Sequence, residues 1–399
     1  MAGSGFVKVS YPWDATIDLS SPEPARFYVS LIAQTLEYGA PAARRFGPLW
    51  ALAGRAPLPE GTIAAILRRA GAFSTKAVPP VETDPILDAW ERLMDVDPRL
   101  PSRPKTLSTL QLTRASAVTT FLFSGSDTPL LVGKKPRGEG ASVGAEVAAL
   151  EAAHRSGVAP IYLGSVAGTE LQRGLTGRAM KVEPIGIKGA TRLAWTQQHR
   201  SLAEGFERLA DTTVKHVPPS AMSDGIIEAA LEHPGLSDIT RRAISEAHDA
   251  FRDLPVSVLR HTDTSPQNIL FEGNNLVGLV DWADATHLGM PGADMWNAAL
   301  ACIDKGVARV RLDERTLLLS FLGAWFTSDF GTESRRAGAD AAVVAGVPED
   351  LVGLLELLFF ARRVGHRMKR PDEFLVSADL AARMLEHVRA RPFSGEGPA

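Results

Sequence analysis

His261-Thr262-Asp263-Thr264-Ser265-Pro266-Gln267-Asn268-Ile269-Leu270-Phe271 and, one turn later, Leu279-Val280-Asp281-Trp282 carry the densest chemistry in the 399-residue chain. Two short apolar runs, residues 268–271 and 276–280, are joined by Glu272-Gly273-Asn274-Asn275, whose Gly and Asn suit a hairpin turn. A third apolar run, residues 256–259, leads into the polar loop. A loop and hairpin of this kind bring Asp263, Asn268 and Asp281 to one end of the hairpin. Two carboxylates and an amide oxygen are hard donors of the type Mg²⁺ takes, an ion that keeps waters and phosphate oxygens in its shell. One carboxylate then remains free to act as a base. Taken singly, each residue has a bland explanation: Asp as a cap, Asn as a turn residue, His as a structural side chain. The strand-loop-hairpin context favours the joint functional reading.

Composition limits the alternatives. Forty-three Lys and Arg against 46 Asp and Glu give a net charge of −3, so no global field draws the chain to nucleic acid or an anionic membrane. Hydrophobic residues at 45% and charged residues at 22% are those of a globular protein. The lone cysteine, Cys302, excludes an intrachain disulfide framework and a Cys-x-x-Cys site. The N-terminus lacks the basic flank and apolar stretch of a secretory signal. The longest apolar segment, residues 351–361, is interrupted by Glu356 and falls short of the roughly 18 residues a spanning helix needs. A cytoplasmic protein without nucleic-acid or membrane partners is the expectation.

Thirteen of the 27 prolines lie in residues 1–105, which marks that part as differently built. Apolar spacing predicts short helices over 26–38, 61–69 and 84–95, and the proline-rich 97–105 reads as a linker. Strands are expected at 107–112, 118–123 and 130–134 as an antiparallel meander, then a helix over 145–155, then strands at 161–166 and 178–183. Helical periodicity dominates afterwards, over 193–209, 238–251, 314–326, 349–369 and 377–389. The organisation expected is a helical N-terminal extension and linker (1–105), a strand-rich region (106–186) and a helical region (187–393).

The pattern H-x-D-x-x-x-x-N, then an apolar strand and an Asp, resembles the catalytic and metal-binding motifs of the aminoglycoside phosphotransferase and choline kinase family, over about residues 107–294. The resemblance implies an α+β, protein-kinase-like fold with a nucleotide-binding N-lobe and a C-lobe for catalysis and acceptor binding. ATP and Mg²⁺ are the implied cofactors. Asp263 would orient and deprotonate an acceptor hydroxyl, His261 would brace the loop, and Asn268 and Asp281 would hold Mg²⁺. Asp294 is similar to the family's Asp after the metal strand, and reads equally as a helix cap or a brace.

The same resemblance calls for a lysine over the nucleotide phosphates and a glutamate to hold it. Lys134 and Lys135 end one strand and point to opposite faces, so one can serve; Lys134 is taken, because Lys135 precedes Pro136, with Glu146 as its partner, and Gly133 is the alternative holder of the family position. Residues 113–117 join two strands without glycine, unlike the loop of protein kinases, although amides near Ser116 remain available to phosphate oxygens. Adenine would lie against the connector after Met180, where Val182 and Glu183 offer backbone groups.

Rival readings are weaker. Gly140-Ala141-Ser142-Val143-Gly144 matches G-x-S-x-G, but a polar loop precedes it where a nucleophile elbow needs an apolar strand. A non-catalytic nucleotide-binding interaction module is disfavoured by the joint presence of Asp263, Asn268 and Asp281. The resemblance leads to the expectation of a hydroxyl-bearing small molecule or natural product as acceptor, with a Ser/Thr hydroxyl of a biosynthetic precursor peptide as the alternative and a partner protein docked on the extension as a further option. Residues 301–399 hold 14 acidic and 14 basic residues, without the acidic bias a polycationic acceptor would call for. Arg362 to Arg370 is locally basic; it suits an acidic acceptor, and reads first as a solvated helix end whose cations complement the helix dipole.

Overall fold

The computed structural model describes residues 6–9, 14–37, 73–74, 81–114, 116–138, 143–182, 185–217, 225–252, 254, 256–308, 313–370 and 377–393. Residues 1–154 with 159–179 form one compact unit, and residues 155–158 with 180–399 a second.

The first unit runs β1 (Phe6–Val9), β2 (Asp14–Asp18), α1 (Glu23–Glu37), β3 (Phe73–Ser74), α2 (Asp84–Asp88), α3 (Trp90–Val96), β4 (Ser108–Thr113), β5 (Ala117–Phe123), β6 (Leu131–Pro136), α4 (Gly144–Ala153), β7 (Tyr162–Val166), β8 (Thr169–Arg173) and β9 (Arg178–Ala179). Its sheet has the order β3-β1-β2-β4-β5-β6-β8-β7, and the neighbours pair antiparallel. Strand alternation gives it a core on each face. Phe123 joins Val9, Ile17, Tyr28, Ile32, Leu110 and Leu112, which α1 covers. Its neighbour Leu122 turns the other way, onto Ile86, Leu87, Trp90 and Leu93 of the two short helices.

The extension is therefore not purely helical. The expected helices at 26–38 and 84–95 correspond to α1 and to α2 with α3, and the one at 61–69 lies outside the described residues. But β1 and β2 are strands, and β2 pairs with β4 from Asp14↔Thr113 to Ile17↔Leu110, across the expected boundary at residue 105. These strands are short and mixed in polarity, so neither has a run long enough to be seen against its proline-rich surroundings.

The proline-rich 97–105 segment is anchored at its start. Trp90, fully buried, donates from Nε1 to the Pro101 carbonyl at 3.0 Å. Asp97, 1% exposed, accepts from Arg99 N at 3.2 Å, Arg99 Nε at 3.0 Å and Arg173 Nη1 at 2.5 Å. Burial works against its charge, yet the hydrogen bonds from Arg173 and Arg99 outweigh burial and hold the carboxyl below its usual range.

In the second unit, α5 (Ile187–Ala190), α6 (Gln197–Thr213), α7 (Ile226–Leu231) and α8 (Asp238–Arg252) precede the strands β10 (Val258–Arg260), β11 (Ile269–Glu272), β12 (Asn275–Leu279) and β13 (Thr286–Gly289). Among the described residues there follow α9 (Ala293–Ala308), α10 (Glu314–Phe326), α11 (Asp329–Val344), α12 (Val352–Lys369) and α13 (Ala378–Ala390). Helix α6 starts at a capping box between Thr196 and His199. It buries Leu202, Phe206 and Leu209, at helical spacing. Its Gly205 lets it press on the hairpin, since a Cβ there would stand 2.5 Å from Leu276 Cδ2. At its C-terminal end Thr213 Oγ1 accepts from Leu259 N at 3.1 Å, fixing β10 against the helix. Among the described residues no helix is long and apolar enough to cross a membrane.

The Asp97 carboxyl sets a pH signature. Its folded-state value lies below the unfolded one, so its contribution is present above about pH 3.9 and fades as the pH falls toward the folded value. Thermal unfolding should show Asp97→Asn less stable than the parent at neutral pH, with the gap narrowing below about pH 3.9.

Candidate functional site

The expected loop and hairpin form as a unit. β11 and β12 pair antiparallel with Ile269 opposite Leu279, and Val280 N donates to the Asn268 carbonyl at 2.9 Å. Asp281 therefore follows immediately on the residue that is backbone-bonded to Asn268. Its φ of 66° is left-handed, as is the 65° of Thr262, and non-glycine residues hold such values only where the surroundings enforce them.

Asp263 and Asn268 are in direct contact. Asn268 donates from Nδ2 to Asp263 Oδ2 at 2.9 Å and to the Asp263 carbonyl at 3.1 Å. Ser265 N lies 3.4 Å from Asp263 Oδ1. Asn268 is buried, while Asp263 and Asp281 are half-buried and so reach solvent.

His261 is fully buried. Its ring packs edge-on against Trp282 at 4.6 Å, and its Nε2 lies 2.9 Å from the Val280 carbonyl. A carbonyl only accepts, so Nε2 carries the proton and Nδ1 does not; among the described residues Nδ1 has no hydrogen-bond partner. Burial pushes the imidazole below its ordinary value, against the opposing charges of Asp294, Asp263 and Asp281. A neutral ring tying the loop to the hairpin is a brace.

Asp294, 6% exposed in the first turn of α9, resolves the choice between cap and brace. Its carboxylate accepts from His261 N at 2.6 Å, Thr262 N at 3.3 Å and Arg260 Nε at 3.0 Å. It holds the loop. Gly289 makes room for this pairing, since a Cβ there would lie 2.2 Å from Arg260 Cγ. Asn297, one turn further along α9, donates from Nδ2 to the Thr262 carbonyl at 2.8 Å and Thr264 Oγ1 at 3.1 Å. Sequence reasoning missed Asn297; its offset of three from Asp294, on the same helix face, was the available signal.

In the first unit Lys134 Nζ lies 2.6 Å from Glu146 Oε1, the two side chains 15% and 6% exposed. Lys135 is exposed. Tyr162 and Glu170 lie beside this pair around a small hollow, with the Tyr162 hydroxyl donating to Glu170 Oε2 at 2.5 Å. Ser116 is exposed, and its carbonyl accepts from Arg137 N at 2.9 Å. In the second unit Val182 is buried, and Met180 N is bonded to the Pro266 and Ile269 carbonyls at 3.1 and 2.8 Å. Glu183, and residues 140–142 of the G-x-S-x-G match, lie outside the described residues. Cys302 is buried, with its thiol pushed up to about 12 by burial first and by Asp304 second.

The basic run 362–370 is not a solvated helix end throughout. Arg367 is 4% exposed, and Arg363, with a side chain 16% exposed, bonds to Asp304 Oδ2 at 3.2 Å. Residues 363 and 367 lie one helical turn apart, so one face of α12 takes both inward. Burial, with the charge of Arg363 beside it, lowers Arg367 to about 9.

Among the described residues no cluster of three or more His, Cys, Asp or Glu could hold a metal ion. The donor set nevertheless fits an ion that keeps much of its shell as water and phosphate oxygen. Asn268 commits its amide nitrogen to Asp263, so Oδ1 is the atom it would offer such an ion, and Asp281 would add a half-buried carboxylate.

No curated protein matches the chain. Among solved structures it is similar to macrolide 2'-phosphotransferase MphH from Brachybacterium faecium, at 16% identity and a TM-score of 0.38, over 77% of this chain and 99% of that one. It is similar to aminoglycoside phosphotransferase APH(4)-Ia in complex with ADP and hygromycin B, at 12% identity and a TM-score of 0.41, over 73% and 96%. Choline kinase LicA from Streptococcus pneumoniae matches at 13% identity and a TM-score of 0.37, over 71% and 88%. The assignment rests instead on the family model described as "Phosphotransferase enzyme family", which matches residues 111–336, more than half the chain, and spans the Lys134–Glu146 pair, the loop and the hairpin. The chain belongs to this phosphotransferase enzyme family and is a kinase-type enzyme.

Proposed function

We propose that the protein transfers the γ-phosphoryl group of ATP to a hydroxyl of a small-molecule or natural-product acceptor. The observation that carries this reading is the contact between Asn268 Nδ2 and Asp263 Oδ2 at 2.9 Å. It aims a half-buried carboxylate from a rigid loop, with the second carboxylate, Asp281, at the adjoining strand end. Family membership supplies the reaction class.

In this mechanism Asp263 accepts the hydroxyl proton as the oxygen attacks the γ-phosphorus in line. The bond to the β–γ bridging oxygen breaks, and ADP leaves with that electron pair. Asn268 and Asp281 are the residues to hold Mg²⁺, which when bound neutralises charge on the phosphate oxygens. Lys134, oriented by Glu146, serves the α- and β-phosphates. His261, kept neutral by burial, takes no proton and holds the loop. The balanced charge of residues 301–399 favours an acceptor that is not polycationic.

The test is ATP consumption across a panel of candidate alcohols, with Asp263→Asn as control. Loss of a positioned base lowers turnover by about 10²- to 10⁴-fold, with the unfolding midpoint little changed; unchanged transfer would overturn the role of Asp263. Lys134→Met and Glu146→Gln should each raise the KM for ATP by about tenfold, the effect of one lost charge-assisted contact worth about 1.4 kcal/mol. Chelation should abolish turnover and added Mg²⁺ restore it, with Asn268→Ala needing more Mg²⁺ for half-maximal rate than the parent.

A further inference from the structure

Asn297 presents its amide group to the loop on both sides of Asp263, through the Thr262 carbonyl at 2.8 Å and Thr264 Oγ1 at 3.1 Å. An amide side chain can turn over, exchanging its oxygen for its nitrogen at little cost in shape. Turned over, Asn297 would set its oxygen against the Thr262 carbonyl, two acceptors facing each other. The group that prevents this comes from α12. Arg363 donates from Nη1 to Asn297 Oδ1 at 3.2 Å and from Nη2 to Asp304 Oδ2 at 3.2 Å. A guanidinium has donors only, so it accepts no orientation of Asn297 but the one that turns the nitrogen to the loop. Asp304 holds the guanidinium in place, and Arg367 Nη1 donates to the Arg363 carbonyl at 3.0 Å.

We infer that Arg363, acting through Asn297, is a positioning residue for the proposed base Asp263, so that a helix nearly a hundred residues further along the chain fixes the catalytic loop. The inference rests on the phosphotransfer reading above. The inward-turned part of the basic run then serves to orient a neutral amide.

Asn297→Asp separates this role from packing. It keeps the shape and strengthens the pairing with Arg363, but has no N–H to give the Thr262 carbonyl. Arg363→Met removes the orienting donor, and Arg363→Lys keeps one. The probe is Mg·ATP with water as acceptor, followed by ADP release. Asn297→Asp and Arg363→Met should lower kcat by about 10- to 100-fold, the cost of a base misplaced by about 1 Å, with the KM for ATP unchanged and Arg363→Lys recovering part of the loss. Amide hydrogen exchange, which needs no turnover, should rise in peptides covering residues 258–270 and stay as in the parent over 197–213. Exchange and kcat both unchanged, or kcat and KM falling with a general loss of stability and no rescue by lysine, would overturn the inference. Faster exchange at the loop in a protein whose ADP release is indifferent to Asp263→Asn would keep the brace and overturn the phosphotransfer reading instead.

Discussion

The carboxylate of Asp294 is the constraint on which the site depends. It takes the backbone N–H groups of His261 and Thr262 together with the Arg260 side chain, and so determines where Asp263 begins. Thr262 sits at a φ of 65°, a conformation that costs a threonine about 1–3 kcal/mol. A hydrogen bond to a charged group returns about 1.5–3 kcal/mol, and two of them end on this short stretch of backbone. The Thr262 hydroxyl adds a third hold, donating to the Asp284 carbonyl at 2.7 Å. The bonds outweigh the strain, so the loop keeps a shape its own residues would not choose.

His261 adds a second attachment of a different kind. With Nε2 on the Val280 carbonyl and the ring against Trp282, it ties the loop to the end of β12 without placing a charge among three carboxylates. The desolvation that lowers its proton affinity wins over their attraction. Because the imidazole stays neutral, Asp263 is not held in an ion pair with it.

What could be read in the sequence follows from how each element announces itself. The β11–β12 hairpin, the meander from β4 to β6 and helix α10 have apolar runs or clear periodicity, and their expected and observed ranges nearly coincide. Missed elements lack that contrast. β8 is Thr-Glu-Leu-Gln-Arg, more polar than apolar, and becomes a strand because β6 and β7 pair with it on either side. α11 is rich in Ala and Gly, small residues that bury through close approach, as where Gly338 meets the Trp296 ring. The same limit applies to the site. Asp263, Asn268 and Asp281 stand in a recognisable spacing, and strand alternation separates Lys134 from Lys135. Asn297 and Arg363 act through contacts 35 and 66 residues apart in the chain, which no local pattern encodes.

In the proposed mechanism the identity of residue 268 explains why the metal and base positions would not be exchanged. An aspartate there would be the stronger ligand for a divalent cation, judged by charge alone. But Asn268 turns its amide nitrogen to both the carbonyl and the carboxylate of Asp263; a second carboxylate would meet the base as a like charge at about 3 Å, where two such groups cannot both stay ionised. One would take up a proton at neutral pH, and either the base or the ligand would be lost. The amide avoids that conflict, with its hydrogen-bond donor turned to Asp263 and its oxygen left for the proposed ion, so that in this mechanism the two carboxylates would keep separate roles.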